Sequence, residues 1–322
     1  INSSLAGVFK TAKDRGAKKV YGMLHGIQGL LQERCVDLEE HIKSDLDIEL
    51  LKRTPSAYLG SCRFKLPEIC DDRDIYDKIF SILDKLKVEY FFYIGGNDSM
   101  DTIKKLSDYS LLNGSKIRFM GVPKTIDNDL AATDHTPGYG SAAKYIGAIT
   151  KEVIRDGLVY DQQNVTILEI MGRNAGWLTG AAALAKGEDC EGPDMLFLPE
   201  VTFDVDSFMK KVEELHKKKA SVVVAVSEGV KLADGRYVCE LTDGIEFVDA
   251  FGHKQLTGTA RFLAEKINRE VGCKTRAIEF NSLQRCASHI VSRVDITEAF
   301  QVGGAAVKEA FEGETRSEER RV

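Results

Sequence analysis

Two stretches decide the fold: Val88–Gly96, VEYFFYIGG, and Lys116–Asp129, KIRFMGVPKTIDND. Each is a short apolar run of strand length that stops on a residue unable to continue a strand. Paired glycines end the first at Gly95-Gly96, and Pro123 ends the second. Ile75–Lys87 lies before the first run and Asp98–Asp108 between the two, with apolar residues at helical spacing. Strand, helix and strand in that order make a right-handed crossover unit, and such units build parallel sheets buried on both faces.

The same alternation extends outward. Ser141–Gly157 reads as a long amphipathic helix, Asn164–Met171 as a strand, and WLTGAAALAKG as a small-residue helix. Strands are expected at Met195–Leu198, Ser221–Val226 and Thr275–Phe280. Helices are expected at Val205–Lys219, Thr257–Val271 and Ile296–Phe311. Toward the start, residues 3–18 read as a helix and Lys19–Leu24 as a strand, followed by a polar, mixed stretch to about Pro67. The pattern is that of an α/β protein with mostly parallel sheets. A domain boundary is expected near Thr133–Gly140.

At 322 residues the chain exceeds what one hydrophobic core usually serves. Lys and Arg total 44 against 50 Asp and Glu, a net charge of −6, which disfavours nucleic-acid wrapping. No apolar run approaches the roughly 20 residues that span a bilayer. No basic-then-apolar leader is seen, so a cytoplasmic protein is expected. The seven cysteines are scattered, without a C-x-x-C pair, as in a reducing compartment.

In parallel sheets ligands sit at the carboxyl ends of strands. After VEYFFYI come Gly95, Gly96, Asn97, Asp98 and Ser99, where glycines and a helix start suit a phosphate. Asp98 and Ser99 are also ordinary helix caps. After KIRFMGV come Lys124, Thr125, Asp127 and Asp129, a set suited to magnesium, to a base and to charge neutralisation, or else a solvated turn. Gly172-Arg173, Ser227-Glu228-Gly229, Arg276 and Gln284-Arg285 close the remaining strands. Together they outline an anion-binding cleft, although each arginine alone fits a surface ion pair. His135 and His289 are candidates for its lining. Gly138–Ala143 matches a dinucleotide pattern but follows no strand, and no P-loop is present. Trp177 and Ala181–Ala185 read as helix packing.

With GGNDS, PKTIDND, MGRNAG, SEG and the Arg276…Leu283-Gln284-Arg285 tail in one order, nearly the whole chain resembles the phosphofructokinase family. Within it the chain looks like the pyrophosphate-dependent branch. The resemblance implies two Rossmann-like doubly wound, mostly parallel sheets with the active site in the cleft between them. It places a donor domain at 1–138 plus 284–305 and a sugar-phosphate domain at 139–283 plus 306–322. It implies phosphoryl transfer from pyrophosphate to the 1-hydroxyl of fructose 6-phosphate, reversible and glycolytic, with Mg²⁺. Asp127 is then the general base, with Lys124 and Asp98 beside the chemistry. Thr125, Ile126, Asp127, Met171, Gly172, Arg173, Glu228, Arg276, Ser282, Gln284 and Arg285 meet the sugar phosphate. Arg63, Gly95, Gly96, Asn97 and Ser99 meet the donor, and Asn97, Asp98 and Asp129 the metal. Arg276 reaches across a subunit boundary, which implies a homodimer or homotetramer.

ATP-dependent members resemble GGDGS and PGTIDND. Here Asp98 fills the place of one glycine and Lys124 that of the other, and both changes favour pyrophosphate over ATP. Three positions depart from the family pattern: Asn97 where most pyrophosphate-dependent relatives have Asp, Ser282 where His or Tyr is usual, and Asn164 where ATP-type enzymes often have Arg. The first two motivate a rival reading, a non-catalytic sugar-phosphate-binding regulatory paralogue. The resemblance also implies a strand and a glycine turn ahead of Asn2, and an altered end near Val322. A parallel sheet without its first strand is therefore expected, with a donor pocket open on that side.

Overall fold

The computed structural model describes residues 1–131, 133–241 and 256–315. In chain order the elements are α1 (Asn2–Asp14), β1 (Tyr21–Met23), α2 (Gly26–Leu31), β2 (Cys35–Asp37), α3 (Leu38–His41), α4 (Asp45–Arg53) and α5 (Arg73–Lys85). They continue with β3 (Tyr90–Gly95), α6 (Asn97–Leu112), β4 (Arg118–Pro123), α7 (Tyr139–Gly157), β5 (Asn164–Ile170) and α8 (Trp177–Ala181). The remainder are β6 (Met195–Phe197), α9 (Val205–His216), β7 (Ser221–Ser227), α10 (Thr259–Val271), β8 (Lys274–Glu279), α11 (Leu283–Cys286) and α12 (Arg293–Phe311).

The larger sheet runs β6-β7-β5-β8, every pair parallel. Its composition follows from burial on both faces. On β7, Val222, Val224 and Val226 pack with Phe208, Val212, Leu263 and Ile267 beneath α9 and α10. Val223 and Ala225 point the other way, onto Ile146, Ile154 and Leu178 of α7 and α8. A strand wetted on neither face has no polar residue to alternate with, which is why SVVVAV reads as an unbroken apolar run.

In the first half of the chain β3 and β4 pair in parallel, from Tyr90 opposite Arg118 to Gly95 opposite Pro123. Ile79, Leu83, Ile103 and Leu106 of α5 and α6 cover one face with Phe91 and Phe119. Val8 and Ala12 of α1 and Ala306 and Val307 of α12 cover the other with Val122. Here the structure corrects the sequence reading. Lys19–Leu24 contains only the three-residue strand β1, which pairs antiparallel with β2 and belongs to neither parallel sheet. The stretch to Pro67 holds α2, β2, α3 and α4, none longer than nine residues. Among the described residues β3 has no second neighbour, so its far edge is unpaired and opens into the cavity described below. The end at Val322 lies outside the described residues. All seven cysteines are thiols.

Candidate active site

The carboxyl ends of β3, β4, β5, β7 and β8 feed loops that line one cavity of about 1820 Å³. That exceeds the roughly 300–1,000 Å³ of an ordinary small-ligand site. The excess arises because the cleft continues beneath α1 along the free edge of β3, past Val8, Val20, Tyr90, Phe92 and Ile94. Arg63, Gly95 to Ser99, Lys124 to Asp127, Asp129, Met171, Arg173, Glu228, Ser282, Gln284 and Arg285 all face it.

Gly95 and Gly96 turn the chain from β3 into α6. A Cβ on Gly95 would lie 1.9 Å from the Ser99 hydroxyl oxygen, so glycine lets the first helical turn fold back onto the strand. The peptide N–H of Lys124 donates to the Gly95 carbonyl at 2.9 Å and ties the two strand ends together. Asn97 donates through Nδ2 to Asp129 Oδ2 at 3.4 Å, joining the α6 start to the loop after β4.

That loop, residues 124–138, carries Asp127. Its two limbs are laced together by polar bonds. Thr125 N donates to Pro137 O at 3.1 Å, and Thr136 Oγ1 donates to Thr125 O at 2.7 Å. Asn128, held at φ 57°, accepts from Thr136 N at 2.9 Å. The Asp127 N–H donates to Thr125 Oγ1 at 3.1 Å, and that hydroxyl lies 3.4 Å from Asp127 Oδ2. Burial, then the charge of Asp129, holds the Asp127 carboxyl above the usual carboxylate range, against Thr125, Lys124 and Arg173. Burial also lowers the Lys124 ammonium, opposed by Asp127 and aided by Arg285. A base and a cation thus share one half-buried corner, each moved toward neutrality.

On the opposite wall Gly172 adopts φ +136°, and its N–H faces Glu228 Oε1 at 3.4 Å. Burial, opposed by the Gly172 N–H and reinforced by Glu169 and Asp127, lifts Glu228 to about 7. Gln284 is buried; its Oε1 accepts from Met171 N at 3.3 Å, while its Nε2 has no partner among the described residues.

Not every predicted site residue meets here. Arg276 sits where β8 begins, at the other end of the sheet, paired with Asp156 at 2.9 Å beside Asn164. It is not among the residues that line the main cavity. His135 pairs with Glu298 on the surface, and His289 packs edge-on to Tyr145. Trp177 is 56% exposed yet packs edge-on against Tyr139 of α7, and Ala181, Ala182 and Ala185 are buried.

Among the described residues no three His, Cys, Asp or Glu side chains gather into a cage. Asp127 and Asp129 repel one another, with the Asn97 amide alongside. One or two carboxylates completed by phosphate oxygens is how magnesium is usually held, and these residues fit that pattern.

Sequence reasoning placed Ser227 at a strand end but missed Thr136 and Asp295, which also fix these loops. Ser227 Oγ donates to Gly172 O at 2.7 Å and accepts from Gly229 N at 3.0 Å.

The family model described as Phosphofructokinase matches residues 1–310. A pyrophosphate–fructose 6-phosphate 1-phosphotransferase of Halomonas elongata is 39% identical over 98% of this chain and 74% of its own length. One of Xanthomonas campestris is 40% identical over 97% and 74%. The crystal structure of a pyrophosphate-dependent phosphofructokinase from Nitrosospira multiformis superposes with a TM-score of 0.83 at 37% identity, covering 98% of this chain and 74% of that one.

Proposed function

We propose, since the chain belongs to the phosphofructokinase family, that it transfers a phosphoryl group from pyrophosphate to the 1-hydroxyl of fructose 6-phosphate. The observation that carries this reading is the corner where Lys124 and Asp127 act on one another in a cleft whose facing helix start bears Asp98.

The Asp127 carboxylate takes the proton of the sugar 1-hydroxyl. The freed oxygen forms a bond to phosphorus as the bridging P–O bond of pyrophosphate breaks, leaving inorganic phosphate. A carboxyl raised by burial holds that proton better than an exposed one, which is what a base needs. The Lys124 ammonium and Arg63, both facing the cavity, neutralise phosphoryl charge. Bound Mg²⁺, held by Asp129, Asp98 and Asn97, would supply further charge stabilisation to the donor oxygens. Arg173 and Arg285 hold the 6-phosphate, with Glu228, oriented by the Gly172 N–H, turned to the sugar hydroxyls. The Asp98 carboxylate occupies and repels the space of a nucleotide phosphate. Because pyrophosphate and the sugar ester lie close in energy, the reaction runs both ways.

The two-domain division, a cytoplasmic location and a homo-oligomer completed by Arg276 belong to the same reading. It is supported by the parallel sheets, by the absence of a helix apolar and long enough to cross a membrane among the described residues, and by the position of Arg276 outside its own cleft. A coupled assay on the purified chain, with pyrophosphate and ATP in parallel, tests it. Turnover with pyrophosphate and fructose 6-phosphate is the expected result. Turnover with ATP alone overturns the donor assignment, and tight sugar-phosphate binding with no turnover establishes the regulatory paralogue instead.

A further inference from the structure

The loop that bears Asp127 does not stand by itself. Its return limb reaches Gly138, which bridges directly to Thr125. The Gly138 N–H donates to Asp295 Oδ1 at 2.7 Å. The other oxygen of that carboxylate accepts from Ser141 N at 3.2 Å and from the Ser141 hydroxyl. Ser141 Oγ in turn accepts from Ser292 N at 3.2 Å, and Asp295 N donates to Ser292 Oγ at 3.4 Å. Asp295 is 7% exposed and lies on α12, which packs against α1 and β4. One buried carboxylate therefore joins the first turn of α12 to the first turn of α7 and pins the base loop between them.

We propose that Asp295 is the positioning residue for the Asp127 base. The proposal rests on the reading of Asp127 as that base. The chain of contacts is short: Asp295 fixes Gly138, Gly138 lies against Thr125, and the Thr125 hydroxyl holds Asp127. A carboxylate suits the place because it offers acceptors on both oxygens to donors arriving from two directions at a helix N-terminus. A second tie, His135 to Glu298 one turn further along α12, is exposed and adds little.

The test is Asp295→Asn in the full chain. The amide keeps the shape but turns an NH₂ toward a backbone N–H, so one tie is lost. Fructose 6-phosphate sites are counted by calorimetry, and kcat is expressed per binding site, so unfolded molecules do not count. The expected result is a kcat lower by about tenfold or more with sugar-phosphate Kd changed less than about threefold, the pattern of a base displaced by part of an ångström. Amide exchange across residues 124–138 speeds up in parallel. Asp204→Ala, which removes the cap of the distant α9, lowers stability but leaves both readouts unchanged. If Asp295→Asn folds poorly, Ser141→Ala removes a single hydroxyl from the same network and shows a smaller change in the same direction. A kcat per site within about twofold of wild type, or unaltered exchange over 124–138, overturns the proposal. A wild-type chain with no turnover overturns the functional reading, and the exchange measurement tells that failure apart from failure of the latch.

Discussion

Replacing Gly172 with alanine tests the sugar-side wall more sharply than any charge substitution. Gly172 has φ +136°, and an added Cβ would lie 2.4 Å from the Ala175 carbonyl oxygen, where real Cβ atoms essentially never come within 3.0 Å. The turn from Gly172 to Gly176 must therefore open. Holding a non-glycine residue in that backbone region costs about 1–3 kcal/mol. Opening the turn also strains the buried bond from Ser227 Oγ to Gly172 O, with a penalty of about 1–3 kcal/mol if it breaks. The sum is a loss of about 2–6 kcal/mol in unfolding free energy. Function suffers through Arg173, which follows on the same turn, and through the Gly172 N–H that faces Glu228. A displacement near 1 Å weakens a positioned interaction by about a hundredfold, so fructose 6-phosphate binding should fall by one to two powers of ten while donor binding holds. Urea unfolding and calorimetric titration with fructose 6-phosphate measure both effects. Gly180→Ala is the reference: it lies in α8 with nothing within 4 Å of the added Cβ, and it should be stabilising by up to about 1 kcal/mol. A Gly172→Ala chain with wild-type urea midpoint and sugar-phosphate affinity would show that the turn has room and that its geometry sets neither property.

Asp127→Asn should lower kcat by about 10²- to 10⁴-fold with fructose 6-phosphate binding largely intact in calorimetry; a variant that keeps wild-type turnover places the base elsewhere. Lys124→Met should slow pyrophosphate turnover by about a hundredfold or more, read in the coupled assay, and an unchanged rate removes Lys124 from the donor side. Burial lifts Glu169 to about 7 despite N–H donors from Gly258 and Ala260, and lifts Glu228 similarly. Between the ordinary glutamate value of about 4.3 and those values the folded chain keeps protons that the unfolded chain has released. Their contribution to stability is therefore full at the acid end of this window and declines as pH rises through it. Urea midpoints taken from pH 5 to 8 should show this, and Glu169→Gln should flatten the decline; an identical pH dependence in wild type and variant would contradict the buried-carboxylate argument.

How much of this was legible in the sequence depended on the range over which each feature is decided. The strands at Val88–Ile94 and Ser221–Val226 were visible because burial on both faces writes an unbroken apolar run into neighbouring positions. The segment between β1 and Pro67 was not, because α2, α3 and α4 are too short to show a helical period. The antiparallel pairing of β1 with β2 is a choice made by a partner more than ten residues away, at Cys35–Asp37. Site residues at strand ends were legible for the same reason as the strands: topology alone brings Asp127, Arg173 and Glu228 to one edge. Asp295 was not legible. In sequence Ser292-x-x-Asp295 reads as the start of a helix, and Ser292 does cap α12. The carboxylate itself serves a different helix, about 150 residues earlier in the chain.

The base loop also shows why a polar segment can be ordered at the mouth of a cleft. Thr125, Asn128, Thr136 and Asp295 are all buried, yet none joins a hydrophobic cluster. Each bond among them contributes only about 0.5–1.5 kcal/mol net, so the network adds less stability than a few leucines would. What distinguishes it is direction. Apolar packing at this point would bury Lys124 and Asp127 with the loop, or leave the loop able to slide. Hydrogen bonds of fixed geometry hold the backbone through Pro137, Gly138 and Asp295, which border the same cavity beside the lysine and the carboxylate. An acceptor lost there leaves an unpaired buried N–H donor and a displaced base at once. For that reason catalysis should fail in Asp295→Asn well before the fold does.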